Sequence, residues 1–186
     1  MADMDPTARV TPGVRLRLAR PSDLRHLAAV EDSGGPMFAE AFGDDIAPVL
    51  LSPAGSGFDR ALLAGFIVVA DVDGEVVGFA HVLDVEGHAH LEQISVVPEH
   101  GRRGIGSSLV AAVLEEARWQ GYDEMSLCTY RDLPWNGPFY AGLGFVEVAE
   151  IEPWQWRLHE HEIALGLEHN GARIVMTRPV RGRLDR

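Results

Sequence analysis

Lysine is missing altogether, so all 16 basic side chains are arginines. Against 28 acidic residues this leaves a formal charge of -12. A chain with that balance lacks the surplus cations that neutralise phosphates, which argues against a general nucleic-acid binder. Cysteine is almost absent too: Cys128 is the single thiol, and no disulfide can form within the chain. A reducing, cytoplasmic setting is expected. No apolar run approaches the roughly 20 residues that span a bilayer. The opening Met1-Ala2-Asp3-Met4-Asp5-Pro6 is acidic where a secretory signal is basic. Neither secretion nor membrane insertion is expected. Internal repeats and low-complexity tracts are also lacking.

What is present is 186 residues with 46% hydrophobic content, enough for one core without metals or disulfides. Residues 1–12 are small, polar and aperiodic and are expected to form a tail, as are 181–186, leaving one domain over 13–180. Val14 to Leu18 alternates as a strand, and Pro21-Ser22-Asp23 opens a helix to about Glu31. Gly and Pro punctuate 33–57, which predicts irregular chain with short helices around Met37 to Phe42 and Phe58 to Ala64. Two hairpins follow, turning at Asp73-Gly74 and Glu86-Gly87, with a third meander strand over Ala89 to Val97 that ends at Pro98. Leu109, Val110, Val113, Leu114 and Ala117 mark one face of a helix from Gly106 to Gln120. Beyond it the pattern predicts a buried strand over Met125 to Thr129, a short helix over Gly137 to Leu143 and a strand over Phe145 to Ile151. A helix from Trp154 to Leu167 and a strand from Ala172 to Thr177 complete it. The fold class is α/β (α+β): a mixed, mostly antiparallel sheet of about seven strands with helices on both faces.

The segment with chemistry in it runs from Ile94 to Leu109 as strand, glycine-rich loop and helix start. Gly104 and Gly106 allow backbone to approach a ligand without a β-carbon, and the first amides of the helix, including Ile105 and Ser107, lack internal partners. Such a helix end attracts anions, and Arg102 and Arg103 add charge-assisted contacts. The loop has no Lys-Ser or Lys-Thr ending and no six-residue dinucleotide glycine pattern, so ATP and NAD are disfavoured.

Gly101-Arg102-Arg103-Gly104-Ile105-Gly106 resembles the pyrophosphate loop of the GNAT superfamily of acyl-CoA-dependent N-acyltransferases. The family has Gln or Arg where Gly101 stands here, with Arg102 beside it, a departure that touches a side-chain contact more than the backbone cradle. Phe139-Tyr140-Ala141-Gly142-Leu143-Gly144-Phe145 is similar to the family's second signature, and the resemblance runs from about Val76 to Phe145. It implies a sheet split between the fourth and fifth strands, with acetyl-CoA as co-substrate in the gap. Backbone groups at Ile94, Ser95 and Val96 would then contact pantetheine and polarise the thioester carbonyl. It also implies that Tyr140 protonates the departing thiolate.

Asn136 either touches the pantetheine arm or caps the helix that Gly137-Pro138 begins. Glu92, on the strand beside the gap, is the candidate general base. His81, His88 and His90 gather near the same hairpin, which offers a histidine base or a His-lined substrate mouth as the alternative to Glu92. His88 and His90 share a strand face but have no third ligand in view, and no metal is expected. His159 and His161, two apart on a helix, read as solvated, while Cys128 reads as core. Trp135, Trp154 and Trp156 could wall an acceptor pocket or a dimer contact, or pack as core. The expected reaction is direct acetyl transfer to a small-molecule amine or an amino-terminal acceptor, with a homodimer possible. The alternatives are a non-catalytic acyl-CoA sensor of the same fold or another acyl donor. Acids at Glu40, Asp44, Asp45, Asp59, Asp84 and Glu86, set apart from the arginine pairs of the loop, suggest a cationic amine.

Overall fold

A computed structural model describes residues 13–180; the two expected tails lie outside the described residues. Seven strands form one sheet in the order β1-β2-β3-β4-β5-β7-β6. They are β1 (Val14–Leu18), β2 (Gly65–Val72), β3 (Glu75–Val85), β4 (His88–Val96), β5 (Glu124–Tyr130), β6 (Val146–Glu147) and β7 (Arg173–Pro179). The first four make an antiparallel meander. Its hairpins turn where Asp-Gly and Glu-Gly place two successive residues at positive φ, Asp73 at 52° and Gly74 at 91°, then Glu86 at 56° and Gly87 at 85°.

Six α-helices cover the sheet: α1 (Leu24–Asp32), α2 (Gly35–Phe42), α3 (Gly57–Ala61), α4 (Ile105–Gln120), α5 (Gly137–Gly142) and α6 (Pro153–Ala164). The apolar stripe of α4 packs with Phe66, Val68, Ala80, Val82, Ala89, Leu91, Met125 and Leu127 in the larger core. Alternation turns the intervening residues to the other face, where Ile67, Val69 and Phe79 meet Leu27 and Val30 of α1. Arg17 fastens that side by bonding Asp23 at 2.6 Å and Asp71 at 3.0 Å, which holds both carboxyls below their usual range.

Three elements depart from the sequence expectation at its C-terminal end. The strand expected over Phe145 to Ile151 pairs only at Val146 and Glu147, with one further bond from Val148 N–H to Val175 C=O. As the outer edge strand it has a partner on one side only, and Val146 is 61% exposed, so little burial sustains it. Helix α6 stops at Ala164 because Gly166 takes the left-handed conformation, φ 81°, and a short 3-10 turn follows over Leu167–Asn170. Strand β7 runs two residues further than expected, to Pro179.

Candidate active site

Strand β4 leads through a 3-10 turn, Pro98–His100, into the loop that starts α4. Gly104, the N-cap of α4, sits at φ 82°, a conformation costly for any residue with a β-carbon. The first i to i-4 bond runs from Ser108 N–H to Gly104 C=O, at 2.9 Å. The amides of Ile105, Gly106 and Ser107 therefore have no intrahelical acceptor, and among the described residues no side-chain bond caps this end. Sixteen residues of α4 direct the positive end of their dipole there, and Arg102 and Arg103 are exposed beside it. Buried Ile105 anchors the turn, and a β-carbon on Gly106 would stand 3.5 Å from the Phe139 ring of α5. These residues fit a diphosphate.

The sheet opens next to this loop. Parallel strands β4 and β5 pair only at Ala89 with Met125 and at His90 with Ser126. Beyond those two pairs they part, as expected from the resemblance. Val97 N–H bonds Val77 C=O at 2.9 Å, on the β3 side. By alternation the N–H and C=O groups of Val96 and Ile94 point the other way, into the gap, while those of Ser95 serve β3. Ser95 instead offers its side chain, whose Oγ accepts from Gln93 Nε2 at 3.0 Å.

Glu92 occupies a break in the β3–β4 register: His81 pairs with Gln93 and Val82 with Leu91, so Glu92 is the extra residue of a bulge. The bulge places it on the face opposite α4. There its side chain keeps 42% of its exposure while protein surrounds the rest. Burial raises the pKa of Glu92, Glu162 raises it further, and Arg60, His161 and Arg173 oppose the shift. Glu92 Oε2 lies 3.7 Å from His90 Nε2, and the other ring nitrogen of His90 is 2.8 Å from Ser126 Oγ. Although that carboxylate favours protonation of His90, burial wins and lowers its pKa to about 4, so the ring is neutral.

Tyr140 is 7% exposed, edge-on to Phe139 at 5.1 Å and to Phe145 at 5.8 Å. Burial raises its pKa far above the usual phenol value, against an opposing effect of Arg173, so the hydroxyl keeps its proton. Arg173 thus acts on both Glu92 and Tyr140. Asn136 precedes α5 without making a capping bond, and its Oδ1 is buried with no partner among the described residues.

Several groups differ from the expectation. His159 is buried, not solvated, because α6 turns His159 and Glu162 toward the sheet, close to Cys128. The acids that gather near Glu92 are Glu31 and Glu162, which the sequence reading missed; Glu31 pairs with Arg60 at 2.5 Å and Glu162 with Arg173. The three-residue spacing from His159 to Glu162 was the signal available. Among the acids named from the sequence, Asp45 pairs with His169, Asp84 accepts from Tyr122 and Glu86 pairs with Arg157. His88 stacks on buried Trp154 at 4.6 Å, whereas Trp156 is 47% exposed. Trp135 joins Phe38 of α2, and its Nε1 is buried without a partner among the described residues. Cys128 is a thiol whose pKa burial raises.

A family model described as Acetyltransferase (GNAT) family matches residues 37–145, more than half of the chain. The chain belongs to the GNAT acetyltransferase family. It is 41% identical over 85 residues to a mycothiol acetyltransferase of Clavibacter michiganensis subsp. michiganensis, covering 45% of this chain and 26% of that protein. With N-acetyltransferase 8B of Rattus norvegicus it shares 33% identity over 121 residues, 61% of this chain and 50% of the other. It therefore spans between a quarter and a half of these relatives. The GNAT fold is also that of the PaiA N-acetyltransferase of Thermoplasma acidophilum, solved with coenzyme A. The TM-score is 0.63 at 16% identity, over 89% of this chain and 98% of that one. Among the described residues no helix of this GNAT chain is long and apolar enough to cross a membrane.

Proposed function

We propose that this chain is an N-acetyltransferase that moves the acetyl group of acetyl-CoA to a primary amine by direct attack within a ternary complex. The parting of β4 and β5 after two residue pairs carries this reading, because the strand edge it frees leads straight into the uncapped start of α4. Amides of Ile105, Gly106 and Ser107, with Arg102, Arg103 and the left-handed backbone turn at Gly104, hold the pyrophosphate. Ile94, Ser95 and Val96 contact the pantetheine arm, and the backbone N–H groups turned into the gap polarise the thioester carbonyl. Asn136 adds a polar contact to the arm through its unpartnered Oδ1. The relatives named for acetyl transfer and the neighbour solved with coenzyme A support the donor.

An alkylammonium near pKa 10.4 must lose a proton before it can attack, at a cost of about 4 to 5 kcal/mol at pH 7. Glu92 takes that proton, directly or through water, and its raised pKa brings it nearer to neutrality, where a general base works best. The nitrogen lone pair then bonds to the carbonyl carbon, the carbon–sulfur bond breaks as Tyr140 gives its proton to the sulfur, and the nitrogen releases its second proton to solvent to leave the neutral amide. The phenol is restored from solvent.

A cationic amine, polyamine-like or small, is the acceptor that the Glu92 carboxylate favours, Glu31 and Glu162 being matched by Arg60 and Arg173, ahead of an amino acid or a protein amino terminus. The test compares kcat/KM for a polyamine, a neutral-backbone amine and an acidic amino acid across a salt series, with acetyl-CoA as donor. Preference for the cation that fades with salt is expected. Turnover with none of them, while coenzyme A still binds, would favour a non-catalytic sensor.

A further inference from the structure

Cys128 of β5 and His159 and Glu162 of α6 each bring one ligand atom into a group whose members all lie within 4.8 Å of one another. The topology produces this meeting. Leu127 points into the α4-side core, so Cys128 faces α6, and the three-residue spacing puts His159 and Glu162 on one side of that helix. His159 is 7% exposed, and its Nδ1 is buried with no hydrogen-bond partner among the described residues. Its Nε2 stands 3.9 Å from Glu168, beyond hydrogen-bond distance. A buried ring nitrogen without a partner is rare and calls for a physical reason, of which ion binding is one.

We propose that Cys128, His159 and Glu162 form a binding site for a thiophilic divalent cation, best suited to zinc, with a fourth position open to water. Thiolate, imidazole and carboxylate form a donor set that zinc takes in tetrahedral geometry with three protein ligands. Glu162 accepts from Arg173, Nε to Oε2 at 3.1 Å and Nη2 to Oε1, and from the Cys128 thiol, whose bond ends when the sulfur loses its proton and so frees that lone pair for a metal. Arg173 thereby orients the carboxylate and offsets part of its charge. On binding, the sulfur–hydrogen bond of Cys128 breaks, its electron pair goes to the metal and its proton to solvent. The thiolate and Glu162 then present two negative charges to the dication. His88 and His90 play no part, since one stacks on Trp154 and the other bonds Ser126.

Cobalt(II) is a direct probe, because Cys128 is the only thiol in the chain and a thiolate-to-cobalt absorption band has no other source. The full chain, stripped with a chelator, is titrated with cobalt and then with zinc. A band that saturates near one equivalent and is erased by zinc is expected. It should vanish in Cys128→Ser and show at least about tenfold weaker affinity in His159→Gln and Glu162→Gln. Absence of the band in folded wild-type protein overturns the proposal. So does a band of unchanged affinity in both His159→Gln and Glu162→Gln. Because binding is read without turnover, either result leaves the acetyl-transfer reading intact.

Discussion

His90 Nδ1 and Ser126 Oγ, 2.8 Å apart, join β4 to β5 at the last residue pair before the strands separate. This contact fixes where the gap begins, and it holds the ring whose other nitrogen faces Glu92 at 3.7 Å. Ser126→Ala leaves a buried ring nitrogen unpaired and is expected to cost about 1 to 3 kcal/mol of stability, measured by urea unfolding.

The same histidine sets a pH dependence. Burial lowers both His90 and His81 to about 4, the latter helped by Arg60. Their folded-state affinity for protons lies below the unfolded value near 6.5, so the unfolded chain binds more protons on acidification. Their contribution is complete above about pH 6.5 and is lost as pH falls toward 4. Urea midpoints should drop over that window, and by less in His90→Gln, despite the facing carboxylate of Glu92. Equal slopes in parent and variant would show that His90 is not the group responsible.

Glu92→Gln is expected to lower kcat by roughly 10²- to 10⁴-fold while leaving coenzyme A affinity near normal. Activity should rise with pH as Glu92 ionises, through a pKa above the ordinary carboxylate value. Glu162 raises that pKa, whereas Arg60, His161 and Arg173 lower it. Glu162→Gln therefore moves the acid limb of kcat/KM to lower pH, and a pH–rate profile checks the sign.

Tyr140→Phe removes one hydroxyl from an aromatic cluster and should fold normally. A loss in kcat of roughly 10²- to 10⁴-fold with coenzyme A binding retained is the expected result. Full activity would assign protonation of the sulfur to water or substrate.

Gly104→Val forces a β-branched residue to φ 82° at the start of α4. The thermal shift produced by coenzyme A should disappear while the helical circular dichroism persists. A shift of parental size would remove the loop from the cofactor site.

Much of this was legible in the chain itself, because strong local signals and the final fold agree. The Asp73-Gly74 and Glu86-Gly87 turns, the α4 stripe and the glycine loop are each set by a few neighbouring residues. Glu92 was readable as a strand carboxylate, but its placement on a bulge depends on the β3 register, which no local pattern records. Glu162, Arg173 and Arg60 were missed because their pairing joins residues from separate elements. His159 lies buried because its three-residue spacing to Glu162, rather than its two-residue spacing to His161, matches the face that α6 turns to the sheet.

The central claim is direct transfer of acetyl from coenzyme A to an amine, and isotope-labelled acetyl-CoA tests it most directly. Mixed with the protein and a cationic amine, it should place the label on the amine, release coenzyme A in equal amount and leave the protein mass unchanged. Label accumulating on the protein, at Cys128 or elsewhere, or coenzyme A released with no labelled amine, would contradict the account.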